Sequence, residues 1–241
     1  MTELLDTSSA IRPGEELDTA RLEAYLESQI PGAHGPLVIE QFPSGFSNLT
    51  YLLRLGAREL VLRRPPFGSK VKSAHDMGRE FRVLSALHGH YPAPKPLLLC
   101  DDLDVIGAQF YVMERIQGVI LRKSQPEGFA MPPAEVRACC RSFVEKLAEL
   151  HALDYQRLGL ADLRKEGSYV QRQVHGWIKR YNGSQTDDIP MIEQTARWLE
   201  ANYPQDAGAV IVHNDYKFDN LILDADDTSK IIGVLDWEMC T

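Results

Sequence analysis

The sequence predicts an α+β fold of two lobes, a small antiparallel β-rich lobe followed by a mainly helical one that carries a late β-hairpin. Three observations predict it. Short apolar runs separated by Gly- and Pro-containing turns crowd residues 37–114. Apolar spacing of three and four takes over in residues 132–202. Two further apolar runs, Leu221–Leu223 and Ile231–Leu235, then flank the polar turn Asp224–Lys230.

Each element follows from its residues. Residues 1–17 read as a loose acidic arm, and 18–30 as a packing helix capped by Asp18 and stopped by Pro31-Gly32. Strands are expected at 37–42, 49–55 and 59–64, the last halted by Pro65-Pro66, since proline donates nothing to a ladder. Residues 74–87 form a helix with Met77, Phe81, Leu84 and Leu87 on one stripe and Glu80 beside it. After the extended Tyr91–Pro96 come strands at 97–100 and 109–114, and Gly118 is a hinge. These assign residues 1–117 to the first lobe and 118–241 to the second. A long helix from Pro133 to about His151 presents Val136, Cys140, Phe143, Leu147 and Leu150. Helices at 167–181 and 188–202 follow, separated by the polar turn Asn182–Asp187.

Composition narrows the function classes. A chain of 241 residues buries about 70–75% of its unfolded surface, so a core forms without metals or disulfides. A net charge of −8 argues against nucleic acid or an anionic membrane as a general partner. Met1–Asp6 lacks a basic region followed by an apolar one, and no run is long enough to span a bilayer. Cys100, Cys139, Cys140 and Cys240 form no C-x-x-C pair and read as idle thiols of a reducing cytoplasm. His88-Gly-His90 reads as a helix-end loop, with no further ligand nearby in sequence.

The chemistry concentrates in Val210–Asp236. An apolar run delivers His213-Asn-Asp215, Asn220 opens the next run, and the hairpin exits on Asp236. His-x-Asp-x-x-x-x-Asn, a hairpin and an Asp is the layout of a kinase catalytic loop with its metal-binding Asp. The spacing has a reason: one Asp accepts the hydroxyl proton, while Asn and the second Asp hold the Mg²⁺ that bridges the ATP phosphates. The bland alternative is a hairpin whose Asp and Asn cap turns. Upstream, a cation at the end of the third strand precedes a helix carboxylate, Glu80, in the kinase order. Alternation sends Arg63 and Arg64 to opposite faces, so only one of them reaches the nucleotide.

With these residues in hand, the chain resembles the aminoglycoside phosphotransferase family of small-molecule kinases, which share the protein-kinase-like bilobal fold. The likeness is carried by Ser44–Tyr51, Leu60–Arg63, Glu80–Leu84, Tyr111–Gly118, Leu147–Asp154, His213–Asp215, Asn220 and Leu235–Glu238. Ser47-Asn48-Leu-Thr-Tyr51, Leu150-His-Ala-Leu-Asp154 and Asp236-Trp-Glu238 most resemble the kinase-like domains associated with acyl-CoA dehydrogenases. The resemblance implies that Asp215 is the base, that Asn220 and Asp236 hold magnesium, and that Arg63, positioned by Glu80, contacts the α/β-phosphates. It further implies that Ser47 and Asn48 cover the phosphates and that Met113, Glu114 and Ile116 line the adenine pocket. Lys217 takes the place of the lysine that steadies the transferred phosphoryl group.

Three departures stand out. Arg63 replaces the usual lysine, with Arg64 as the alternative cation. Asp236-Trp-Glu238 replaces Asp-Phe-Gly. The sequence stops at Thr241, where the resemblance implies further helices for the acceptor. The function so implied is ATP- and Mg²⁺-dependent transfer to a small-molecule hydroxyl, such as a hydroxyacyl-CoA or hydroxy acid. The alternatives are a nucleotide-binding pseudokinase, or a kinase of aminoglycosides or other small alcohols.

Overall fold

Five antiparallel strands form the main sheet of the computed structural model, which describes residues 7–43, 48–68, 76–122, 130–205 and 208–241. They are β1 (Leu37–Gln41), β2 (Leu49–Leu55), β3 (Arg58–Arg64), β4 (Pro96–Cys100) and β5 (Phe110–Glu114), in the order β1-β2-β3-β5-β4. Every neighbouring pair is antiparallel. The period of two sorts the side chains. Leu60, Leu62, Phe110 and Val112 face one core, which α1 (Thr19–Gln29) covers with Leu22 and Leu26. Val61, Arg63, Tyr111 and Met113 face the other way, into a cleft. Asp18 caps α1 by accepting from the backbone N–H of Arg21, as its position predicts.

The arm ahead of α1 is not loose where it is described. Ser9 and Gln41 exchange backbone hydrogen bonds of 2.8 and 2.9 Å, the Tyr51 hydroxyl donates to the Glu15 carbonyl, and Leu17 is buried. Polar composition concealed this, because the attachment runs through backbone groups that any residue supplies. A short helix, α3 (Leu103–Ile106), also fills the span between β4 and β5, capped by Asp102 and closed by Gly107 in the left-handed conformation.

On the cleft side lies α2 (Met77–Leu87), capped by Asp76. Its buried face is Met77, Glu80, Val83, Leu84 and Leu87, so Glu80 lies within the stripe, while Phe81 is half-buried with its edge toward Tyr111. The long helix α4 (Pro133–Ala152) buries Cys139 and Leu150; Cys140 and Val136, expected on that face, are exposed. Phe143 anchors it by packing on Tyr216 and Phe218, which rotates Cys139 inward.

The hairpin forms from β6 (Leu221–Leu223) and β7 (Ile231–Val234). The apolar run before His213 is no regular strand; Val212 pairs with Thr241, by two backbone hydrogen bonds of 2.8 and 2.9 Å. Gly118 comes so close to the Leu223 carbonyl and to Ile222 that any β-carbon there would clash. Beside it, Val119 and Leu223 exchange backbone hydrogen bonds of 2.8 Å each, tying the hinge to the hairpin.

The chain divides into two compact units. One runs to Asp154 and resumes at Ile211; the other is Tyr155–Val210. The second unit contains α5 (Tyr169–Ser184) and α6 (Pro190–Ala201). Helix α5 runs through Asn182-Gly-Ser184, where a turn was expected; no residue there takes a positive φ, and the Ser184 hydroxyl donates to the Arg180 carbonyl within the helix. No helix among the described residues is long and apolar enough to cross a membrane.

Candidate active site

The cleft face of the sheet, α2, the hinge and the hairpin surround a cavity of about 650 Å³. That volume lies within the usual range for a small-molecule site. Arg63, at the end of β3, is nearly buried and sits among carboxylates. Its Nη1 donates to Glu80 Oε1 at 2.6 Å and its Nη2 to Asp236 Oδ1 at 3.0 Å, with Glu238 Oε2 at 3.9 Å. Arg64, one residue on, points to the opposite face, donates to the Ile106 carbonyl and lies over the Phe67 ring. Strand alternation thus turns Arg63, and not Arg64, into the cleft.

Glu80 is 1% exposed. Burial pushes its carboxyl up to about 6, against the pull of Arg63. The same surroundings hold Arg63 charged: Glu80 and Asp236 outweigh its own desolvation. Glu80 Oε1 also accepts from the Trp237 backbone N–H at 3.1 Å, so α2 grips the segment that carries Asp236. Trp237 is fully buried, its indole N–H donating to Val234 and its ring tilted over His213.

His213 organises the loop without facing the cleft. Burial keeps the ring neutral, its Nε2 lies 2.9 Å from the Leu235 carbonyl, and its Nδ1 accepts from the Asp215 backbone N–H at 3.2 Å. The Asp215 carboxylate is approached from two sides at 2.9 Å, by Asn220 Nδ2 and by Lys217 Nζ. Asn220 Nδ2 also donates to the Asp215 carbonyl, which fixes the amide with its nitrogen toward the loop. Asn214 and Asp236 both adopt left-handed backbone, at φ 67° and 66°, sharp corners that present the loop and the carboxylate.

All the sequence-predicted site residues that are described line this cavity: Asn48, Arg63, Glu80, Met113, Glu114, Ile116, Asp215, Lys217, Asn220 and Asp236. Ser47 lies outside the described residues. Two partners were missed. Glu238 accepts from Asn48 Nδ2 at 2.6 Å, joining residues 190 apart in sequence, and Tyr111 lines the floor beside Arg63 and Glu80. Alternation along β5 would have found Tyr111; Glu238 stands in the Asp236-Trp-Glu238 motif, but nothing local pairs it with Asn48.

Residues 38–241 match the model of the APH phosphotransferase enzyme family. The chain belongs to this family. Among curated relatives it is 40% identical over 237 residues to acyl-CoA dehydrogenase family member 11 of Rattus norvegicus, covering 96% of this chain and 30% of that protein. The chain therefore spans about a third of the length of the curated relatives it matches. Among solved structures, one from Ralstonia eutropha, provisionally assigned as an aminoglycoside phosphotransferase, matches at 38% identity and a TM-score of 0.80. That match covers 94% of this chain and 66% of the other. The GDP complex of aminoglycoside 2'-phosphotransferase-IIIa, at 15% identity, shares the fold with a TM-score of 0.66 over 93% of this chain and 74% of its own. The antiparallel sheet with its flanking helices is thus the protein-kinase-like fold of these enzymes.

Proposed function

We propose that this chain is an ATP- and Mg²⁺-dependent phosphotransferase that phosphorylates a hydroxyl of a small molecule. The observation that carries the reading is the convergence of Arg63, Glu80, Asp215, Asn220 and Asp236 on one cavity. In this reading residues 1–117 bind nucleotide and 118–241 supply the catalytic loop. Met113, Glu114 and Ile116 border the base, mostly through backbone groups, and Asn48, with Ser47, covers the phosphates. Arg63 meets the α/β-phosphates.

The donor set suits magnesium. Among the described residues no cluster of three or more His, Cys, Asp or Glu stands ready to cage a metal by itself. Magnesium asks for less, one or two oxygen ligands from protein with the rest from phosphates and water. Asn220 and Asp236 would supply those oxygens. An ion held there would supply positive charge against the phosphates during transfer. Three carboxylates around one guanidinium leave that end of the cleft anionic, which favours the arrival of a cation.

Asp215 takes the acceptor's hydroxyl proton as that oxygen bonds to the γ-phosphorus and the bond to the β,γ-bridging oxygen breaks, releasing ADP. Lys217, half-exposed and paired with Asp215, moves to the transferred phosphoryl group. The kinship with acyl-CoA dehydrogenase family members favours a hydroxyacyl-CoA or hydroxy acid as acceptor. Transfer from Mg-ATP to hydroxyacyl-CoAs, hydroxy acids, choline and aminoglycosides, measured on the complete protein beside Asp215→Ala, tests the reading. Transfer to one class, reduced at least about 100-fold in the variant while ATP still binds, supports it. Failure of the wild-type protein to bind Mg-ATP sinks it; binding without transfer to any acceptor favours a pseudokinase.

A further inference from the structure

At the floor of the cleft three buried polar atoms find no hydrogen-bond partner among the described residues: Arg63 Nε, Glu80 Oε2 and the Tyr111 hydroxyl. Such atoms are uncommon in folded proteins, and a cluster of them invites an explanation. Arg63 and Tyr111 are directly paired across β3 and β5, so both side chains leave the same face of the sheet. Tyr111 is fully buried, with the Phe81 ring set edge-on 6.3 Å away. A hydroxyl and an unused carboxylate oxygen are therefore buried together at the cleft floor, where an unmade bond is costly. Burial and the Glu80 charge both keep that hydroxyl protonated, so it has a proton to donate.

We propose that Tyr111 is a positioning residue whose hydroxyl donates to Glu80 Oε2 and so holds the carboxylate in the orientation that aims Arg63 at the nucleotide. Glu80 Oε1 already serves Arg63 and the Trp237 N–H. With Oε2 held by Tyr111, the carboxylate no longer turns about its terminal torsion, and the guanidinium it carries is fixed as well. The role rests on the phosphotransferase reading above.

The test is a double-mutant cycle of Tyr111→Phe and Glu80→Gln, which removes the hydroxyl and the anion with little change of volume. Two quantities are read in wild type, both single variants and the double variant: the urea midpoint and the affinity for Mg-ATP. The expected result is about a tenfold loss of Mg-ATP affinity in Tyr111→Phe. In the Glu80→Gln background the same substitution should cost much less in both readouts. Additive midpoints would overturn the Tyr111–Glu80 contact even in a protein that binds nucleotide well. Coupled midpoints with wild-type affinity in Tyr111→Phe would overturn the positioning role. A wild-type protein that binds no Mg-ATP would overturn that role together with the phosphotransferase reading, and the midpoints would still report the contact.

Discussion

Glu80 and Arg63 form one ion pair, yet replacing them should have opposite effects on stability. Raising a carboxyl from its ordinary 4.5 to about 6 corresponds to about 2 kcal/mol against the ionised form in the folded protein. Glu80→Gln removes that charge and keeps an oxygen for the Trp237 N–H, while Arg63 keeps Asp236 and Glu238. At pH 7 the variant should be at least as stable as wild type, by up to about 2 kcal/mol or roughly 4–8 °C in Tm. Arg63→Met strands three carboxylates instead and should cost about 3–5 kcal/mol, roughly 6–20 °C.

The pH dependence follows the same sign. A raised folded-state pKa adds stability that is fully present below about 4.5 and is lost as pH rises through about 6. The advantage of Glu80→Gln should therefore be complete above pH 6 and vanish toward 4.5, where wild type carries the proton itself. Nucleotide affinity should move the other way, since a neutral amide holds Arg63 poorly. Thermal and urea unfolding across pH 4.5–7.5, beside Mg-ATP titrations, check all of this. A Glu80→Gln protein clearly less stable than wild type at pH 7, or an Arg63→Met protein more stable than it, would refute the reasoning.

Two shorter predictions concern the metal and the hinge. Asp236→Ala should abolish the magnesium dependence of nucleotide binding, which calorimetry with and without Mg²⁺ detects; an unchanged dependence removes Asp236 as a ligand. Gly118→Ala should drive a methyl group into the Leu223 carbonyl and Ile222, costing about 1–3 kcal/mol in urea unfolding and weakening nucleotide binding.

The site was more legible than its supports. His213, Asp215, Asn220 and Asp236 lie within one loop and hairpin, so their spacing alone brings them together. Alternation alone separates Arg63 from Arg64, and the packing of β3 turns Arg63 toward the cleft. Glu80, expected beside its helix's stripe, lies within it, because Arg63 and the Trp237 N–H, both remote in sequence, compensate the burial of its carboxylate. The Asn48–Glu238 contact and the Trp237 N–H on Glu80 join residues 190 and 157 apart, and no local pattern encodes such meetings. Cys139 displaced Cys140 from the buried face for a related reason: Phe143 packs α4 onto Tyr216 and Phe218, which belong to the distant loop between His213 and Asn220. The expected lobe boundary near Gly118 and the contact-based units answer different questions, since one follows the chemistry and the other the density of packing.

Asp236 holds its carboxylate on left-handed backbone, φ 66° and ψ 63°, a conformation that glycine adopts freely and Asp or Asn only as an isolated corner. The position therefore sets conformational ease against the ion pair that its carboxylate makes. Glycine would relax the corner, yet it would also take from buried Arg63 one of its carboxylate partners. Were this gene copied and freed from selection at the cleft, the corner would resist drift for the sake of the fold as well as of the site.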